Sequence, residues 1–181
     1  MNPIYSTVSI KTVEKFRLAR YVVISPNPES DAMEHMERLT KNSGLLNCPE
    51  YKLRKIGWDF PFVSKEQKDL FGLHGYVAAV IIPEDFVPSC DGAELVFQDT
   101  DNYAVITVRD PFSAPWEKIS GAYQRIYDYT NNHHITARNY DNRICMEEPY
   151  VKDGISYLDV YVPIDISDQG NNKVSSLEVT K

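Results

Sequence analysis

Between residues 14 and 24 the chain alternates, with Phe16, Leu18, Val22 and Ile24 on one side, the period of a half-buried strand. Asn27-Pro28-Glu29 then offers a cap, a proline at the first helical position and an acid in the first turn. Ala32, Met33, Met36 and Leu39 recur at helical spacing over residues 30–42, and Gly44 ends that run. Alternation returns over residues 51–58. After a polar connection, Tyr76-Val77-Ala78-Ala79-Val80-Ile81-Ile82 is apolar on both faces, as a central strand would be. The predicted order is strand, helix, strand, strand.

The second half repeats it. Residues 93–97 and 103–108 read as strands flanking Gln98-Asp99-Thr100-Asp101-Asn102, which has turn chemistry. A helix starting near Ser113-Ala114-Pro115 carries Trp116, Ile119, Tyr123, Ile126 and Tyr127 on one face, and strands over residues 144–151 and 156–164 complete the unit. The duplication predicts an α+β fold of two strand-helix-strand-strand modules. They would share one antiparallel sheet with the helices on one face and a ligand cleft on the other. The modules span about residues 13–90 and 91–164 of a domain covering residues 1–164. Residues 165–181 form a polar tail.

Asp153-Gly154 sits between two strand patterns, the signal for a two-residue hairpin turn. That turn sets Tyr150 opposite Tyr157, Glu148 opposite Asp159 and Met146 opposite Tyr161, all on one face. Val151, Leu158, Val160 and Val162 fall on the other, which is expected to pack on the helices. The result is an aromatic surface around two carboxylates. Opposed carboxylates repel, leaving three options: one is protonated, one recruits a cation, or the register is wrong. Glu147 falls on the helix-facing side, so it either lies near an edge or argues against the register, and Pro149 suits an edge or bulge.

Composition sharpens this picture. Twelve Tyr, seven Phe and two Trp give a chain rich in tyrosine, which suits half-wet concave surfaces but also simply fills strands. A formal charge of −7 argues against nucleic-acid and anionic-membrane partners. No apolar run approaches the length of a membrane span, and residues 1–11 lack the pattern of a secretory signal, so a cytoplasmic location is expected. Cys48, Cys90 and Cys145 form no paired motif and read as reduced thiols. His133-His134 reads as a polar loop rather than a metal site, and no cofactor or metal is expected. His35 is assigned to a helix flank, and Lys52, Arg54 and Lys55 to a solvated strand face. Trp58 and Phe60, ahead of the long polar connection, form either a small core under a loop or one wall of a cleft.

The sequence resembles the GyrI-like small-molecule-binding domains, built from duplicated SHS2 modules and related to effector-binding domains of bacterial multidrug-responsive regulators. The resemblance rests on the duplicated element order, Gly75-Tyr76, Ile82-Pro83-Glu84-Asp85-Phe86, Asn102-Tyr103-Ala104-Val105, Pro111-Phe112 and Ala122-Tyr123. Glu148-Pro149-Tyr150 followed by residues 158–164 adds to it. Val108-Arg109-Asp110 departs from the His-x-Gly pattern common there, and no helix-turn-helix precedes the domain. The resemblance implies that the two modules are related by a pseudo-twofold axis and form a cleft whose central glutamate, carried onto Glu148, meets lipophilic and often cationic ligands.

Three readings follow. The first is a stand-alone module for hydrophobic, cationic small molecules, with Glu148 as charge partner beside Asp159 and with Trp58, Tyr76, Tyr150 and Tyr161 as aromatic contacts. The second is a hydrolase of strained electrophiles using Glu148 and Tyr150. The third is an interaction module, as in gyrase inhibitors, that binds a regulator or target protein.

Overall fold

The computed structural model describes residues 3–138 and 144–165. Its strands are β1 (Ser9–Val13), β2 (Phe16–Ser25), β3 (Lys55–Asp59), β4 (His74–Ile82), β5 (Glu94–Gln98), β6 (Asp101–Arg109), β7 (Thr136–Ala137), β8 (Met146–Lys152) and β9 (Ile155–Asp165). The α-helices are α1 (Pro28–Asn42), α2 (Lys65–Phe71) and α3 (Pro115–Asn132). The strands lie antiparallel in the order β1-β6-β9-β8-β3-β4-β2-β5, with β7 paired to the end of β9. Of the expected tail over residues 165–181, Asp165 instead ends β9, and residues 166–181 lie outside the described residues.

That order displays the duplication. β6, β9 and β8 of the second half mirror β2, β4 and β3 of the first, and the halves meet where β8 lies beside β3. The outer strands are exchanged: β1 pairs with β6, while β5 pairs with β2. The turn over residues 98–102 therefore joins strands that do not pair with each other. The seam between halves is short, with Gly57 opposite Glu147 as its one paired position. Pro149, farther along β8, lies beyond that pairing, where its missing N–H costs no ladder bond.

Register fixes which residues share a face. One continuous row crosses the sheet through Tyr21, Ala78, Gly57, Glu147, Val160 and Ile106. On this face α1 packs over β2 and β4, burying Ala32, Met36 and Leu39 against Ala19, Ala78 and Val80. Likewise α3 packs over β6 and β9, burying Ala122 and Ile126 against Ile106, Leu158 and Val160. The central strands β3 and β8 run between the two helices. On the opposite face Leu18, Ile56, Trp58, Val77, Ala79, Tyr103, Val105, Met146 and Tyr161 form a third cluster. The members of that cluster come from strands alone, so their burial requires the sheet to curl around them.

The elements β1, α2 and β7 go unread in the sequence, and Trp116 is among the side chains it misplaces. β1 continues the exchanged edge, and α2 occupies part of the supposed polar connection. That short helix is closed by a reciprocal cap in which the Ser64 hydroxyl accepts from the Gln67 N–H while the Gln67 side chain accepts from the Ser64 N–H. Trp116, expected on the packed face of α3, is 89% exposed, because it precedes the first turn that reaches the sheet.

Candidate functional site

The hairpin closes as its turn chemistry predicts. Asp153 and Gly154 both take positive φ, 51° and 74°, the conformation of a tight hairpin turn and the reason glycine fits there. Tyr150 pairs with Tyr157, Glu148 with Asp159 and Met146 with Tyr161. The register is thus the expected one, and the carboxylate pair has to be accommodated rather than explained away.

The accommodation is internal. Arg54, just before β3, donates from Nε to Glu148 Oε1 at 2.7 Å and from a terminal nitrogen to Oε2 at 2.9 Å. The Tyr161 hydroxyl donates to Oε2 at 3.3 Å. Asp159 accepts from the Thr107 hydroxyl at 2.6 Å and from the Tyr150 hydroxyl at 3.4 Å. The two acids are each held by their own donors. Arg54 is therefore not part of a solvated basic face; its fork neutralises Glu148, whose side chain is only 15% exposed against 50% for Arg54. Because β3 and β8 share one paired position, this clamp also ties the halves together. Trp58 and Tyr161 belong to the core of that same face, and Tyr150 stacks on Tyr157 with ring centroids 5.4 Å apart.

Tyr76 is not with them. It pairs with Asp59, two positions along β4 from Ala78, which places it on the helix face. There it lies over Gly57: a Cβ at that glycine would come within 2.0 Å of the Tyr76 hydroxyl oxygen. Glycine at the seam thus leaves the space that the tyrosine fills, and Glu147 is the next residue in the row.

Glu147 is the functional candidate that the sequence reading set aside. It is neither at an edge nor evidence of a wrong register; alternation aims it at the helix face, and the seam leaves it between the helices. Tyr123 of α3 donates its hydroxyl to Glu147 Oε1 at 2.9 Å. Among the described residues no cation pairs with Glu147. Burial pushes its carboxyl up to about 7; the Tyr123 hydrogen bond opposes this, and the charges of Asp59 and Glu29 reinforce it. Burial, followed by the charge of Glu147, raises both the Tyr123 and the Tyr76 hydroxyl, so both remain donors at neutral pH. Cys145 beside them is pushed up to about 12, mainly by burial, and stays a thiol. The helical spacing that placed Tyr123 on an apolar face was the signal for this contact; the strand parity of Glu147 was the other half.

The arrangement offers a carboxyl raised to about 7, unpaired with any cation among the described residues, between two tyrosines contributed by opposite halves. Among the described residues no group of three or more His, Cys, Asp or Glu side chains is placed to hold a metal ion, and no helix is long and apolar enough to cross a membrane.

No family model and no curated protein matches the sequence. Solved structures share the fold. The C-terminal domain of EcmrR superposes with a TM-score of 0.61 at 10% identity, over 90% of this chain and 99% of that domain. EcmrR in its complex with DNA gives a TM-score of 0.60 at 9% identity over 90% of this chain, which spans 58% of the EcmrR chain. A hydrolase from Listeria innocua gives 0.56 at 10% identity, over 88% of this chain and 92% of that one. At these identities the likeness is one of architecture, the architecture that the GyrI-like resemblance implies.

Proposed function

We propose that the chain is a small-molecule-binding domain of the GyrI-like kind, taking hydrophobic cations in the cleft between α1 and α3. Glu147 is the charge partner, and Tyr76 and Tyr123 are the aromatic contacts. The observation that carries this reading is the contrast between two adjacent acids: Glu148 is already held by Arg54, whereas Glu147 is half-buried with no cation paired to it among the described residues. A lipophilic cation gains from the tyrosine ring faces and restores the charge balance that burial upsets. The fold shared with the EcmrR C-terminal domain supports a ligand-binding role without naming the ligand.

Binding a cation favours the ionised carboxyl, so affinity should fall by up to about tenfold per pH unit below 7. The test is calorimetry with a lipophilic quaternary ammonium dye and its neutral isostere at pH 6 and pH 8. The wild type should prefer the cation, more so at pH 8, and Glu147→Gln should lose that preference while Glu148→Gln keeps it. Equal affinity for cation and isostere would sink the reading.

A second reading has one observation in its favour. A carboxyl titrating near neutrality and bonded to a tyrosine hydroxyl also suits general acid-base chemistry. Hydrolytic opening of a strained electrophile would then depend on Glu147 rather than on Glu148 and Tyr150. Consumption of a model epoxide by the wild type, lost in Glu147→Gln and reduced in Tyr123→Phe, would favour the enzyme; its absence leaves binding alone.

A further inference from the structure

At the far end of the hairpin, on the face away from the helices, the chain from Pro3 to Ser6 runs beside the last turn of β6. Ser6 N–H donates to the Thr107 carbonyl, the Ser6 hydroxyl accepts from Thr107 N–H, and Arg109 N–H donates to the Ile4 carbonyl. A depression of about 260 Å³ opens there, lined by Pro3, Ile4, Tyr5, Ser6, Thr107, Arg109 and Tyr157. Arg109 projects from the same face as Thr107 and lies opposite Tyr157.

The arginine is the unusual feature. Its Nε is buried with no hydrogen-bond partner, although a guanidinium carries five donors and is never deprotonated in a protein. The nearby acids take their hydrogen bonds from other donors, although the Arg109 charge helps hold the Asp110 carboxyl low. Asp159 accepts from Thr107 and Tyr150, and Asp110 accepts from Lys118. The neighbouring cations have partners too: Lys118 donates to the Asp110 carbonyl and to Ser113, and Arg125 lies over the Tyr5 ring. Among the described residues no side chain bonds to the Arg109 guanidinium, whose charge reaches Asp110 only at a distance, and it borders an open cavity.

We propose that this depression is a second ligand site, distinct from the cleft at Glu147, and that it takes a small organic carboxylate with an aromatic or short apolar body. The planar fork of Arg109 matches a carboxylate in bidentate fashion. Tyr157, backed by its stacked partner Tyr150, gives a flat wall, and Pro3 and Ile4 give an apolar one. The two sites would select opposite charges on opposite faces of one sheet. An acidic chain that repels anions in general would admit one at this place because the buried Arg109 Nε still lacks an acceptor.

The probe is sodium benzoate against benzamide, its neutral isostere, titrated at constant ionic strength into the full chain and followed by calorimetry and by amide NMR. Benzoate should bind saturably and shift the amides of Ser6, Thr107 and Tyr157, with no comparable effect from benzamide. Arg109→Lys should weaken binding by about tenfold or more, because the fork is lost while the charge remains. Arg109→Gln should abolish it, and Glu147→Gln should leave it unchanged. Ile4→Trp, at a residue exposed enough to accept the change, fills the depression with Arg109 intact and should also abolish binding. Absence of saturable benzoate binding by the wild type, or undiminished binding by Arg109→Gln or Ile4→Trp, would overturn the proposal.

Discussion

Glu147 and Glu148 are neighbours in one strand, and alternation sends them to opposite faces and opposite circumstances. On the strand-only face, Glu148 is bonded on both oxygens by Arg54 and touched by Tyr161, so its charge is settled within the chain. On the helix face, Glu147 has one tyrosine hydroxyl, the nearby charges of Asp59 and Glu29 and, among the described residues, no paired cation. The first acid has the marks of a structural clamp, the second those of a receptor. The difference shows that acid content on a surface does not identify a binding site; the informative quantity is how much of the charge the protein itself already answers.

The contrast has opposite signs in stability. Glu147 has a folded value of about 7 against an ordinary 4.5, so the native state holds the proton more tightly than the unfolded chain. Its penalty is absent below about pH 4.5 and grows as pH rises through 7, reaching at most about 3 kcal/mol. Glu147→Gln should therefore raise the melting temperature above pH 7, and flatten its pH dependence between 5 and 7, as followed by circular dichroism. This is the largest expected effect.

Gly57→Ala should come next. The added Cβ meets the Tyr76 hydroxyl, and displacing that half-buried ring should cost about 1–3 kcal/mol in chemical denaturation and weaken cation binding. Glu148→Gln should destabilise by about 1 kcal/mol, discounted for the exposure of Arg54, with cation preference kept. A stabilising Glu148→Gln or a destabilising Glu147→Gln at pH 8 would break the comparison. The smallest effect is expected from Asp59→Asn: with one of the charges that raise Glu147 removed, the Glu147 midpoint moves down, read by carboxyl NMR.

The duplication, the central strands, both long helices and the hairpin register are all legible in the sequence because each has a local cause: alternation, helical spacing, or the Asp153-Gly154 turn. The exchange of β1 and β5 between halves is not, since strand pairing at long range leaves no mark in a short window. Helix α2 was readable, as Ser64-Lys65-Glu66-Gln67 has the spacing of a reciprocal cap and Gly72 follows its end. The face of Glu148 was also legible, yet its partner was not, because Arg54 is 94 residues away in the chain. Tyr76 was misjudged for a related reason. In a strand that is apolar on both faces, nothing local says which side a tyrosine takes; only its pairing with Asp59 in β3 does.

The most direct test is a ¹³C NMR titration of the glutamate carboxyls, run with and without a saturating lipophilic quaternary cation. Glu147 is expected to titrate near 7 in the free protein, with its midpoint falling when the cation is present, while the Glu148 carboxyl signal at pH 8 is unchanged by the ligand. A Glu147 midpoint in the ordinary carboxylate range, or a cation that moves Glu148 instead, would contradict this account.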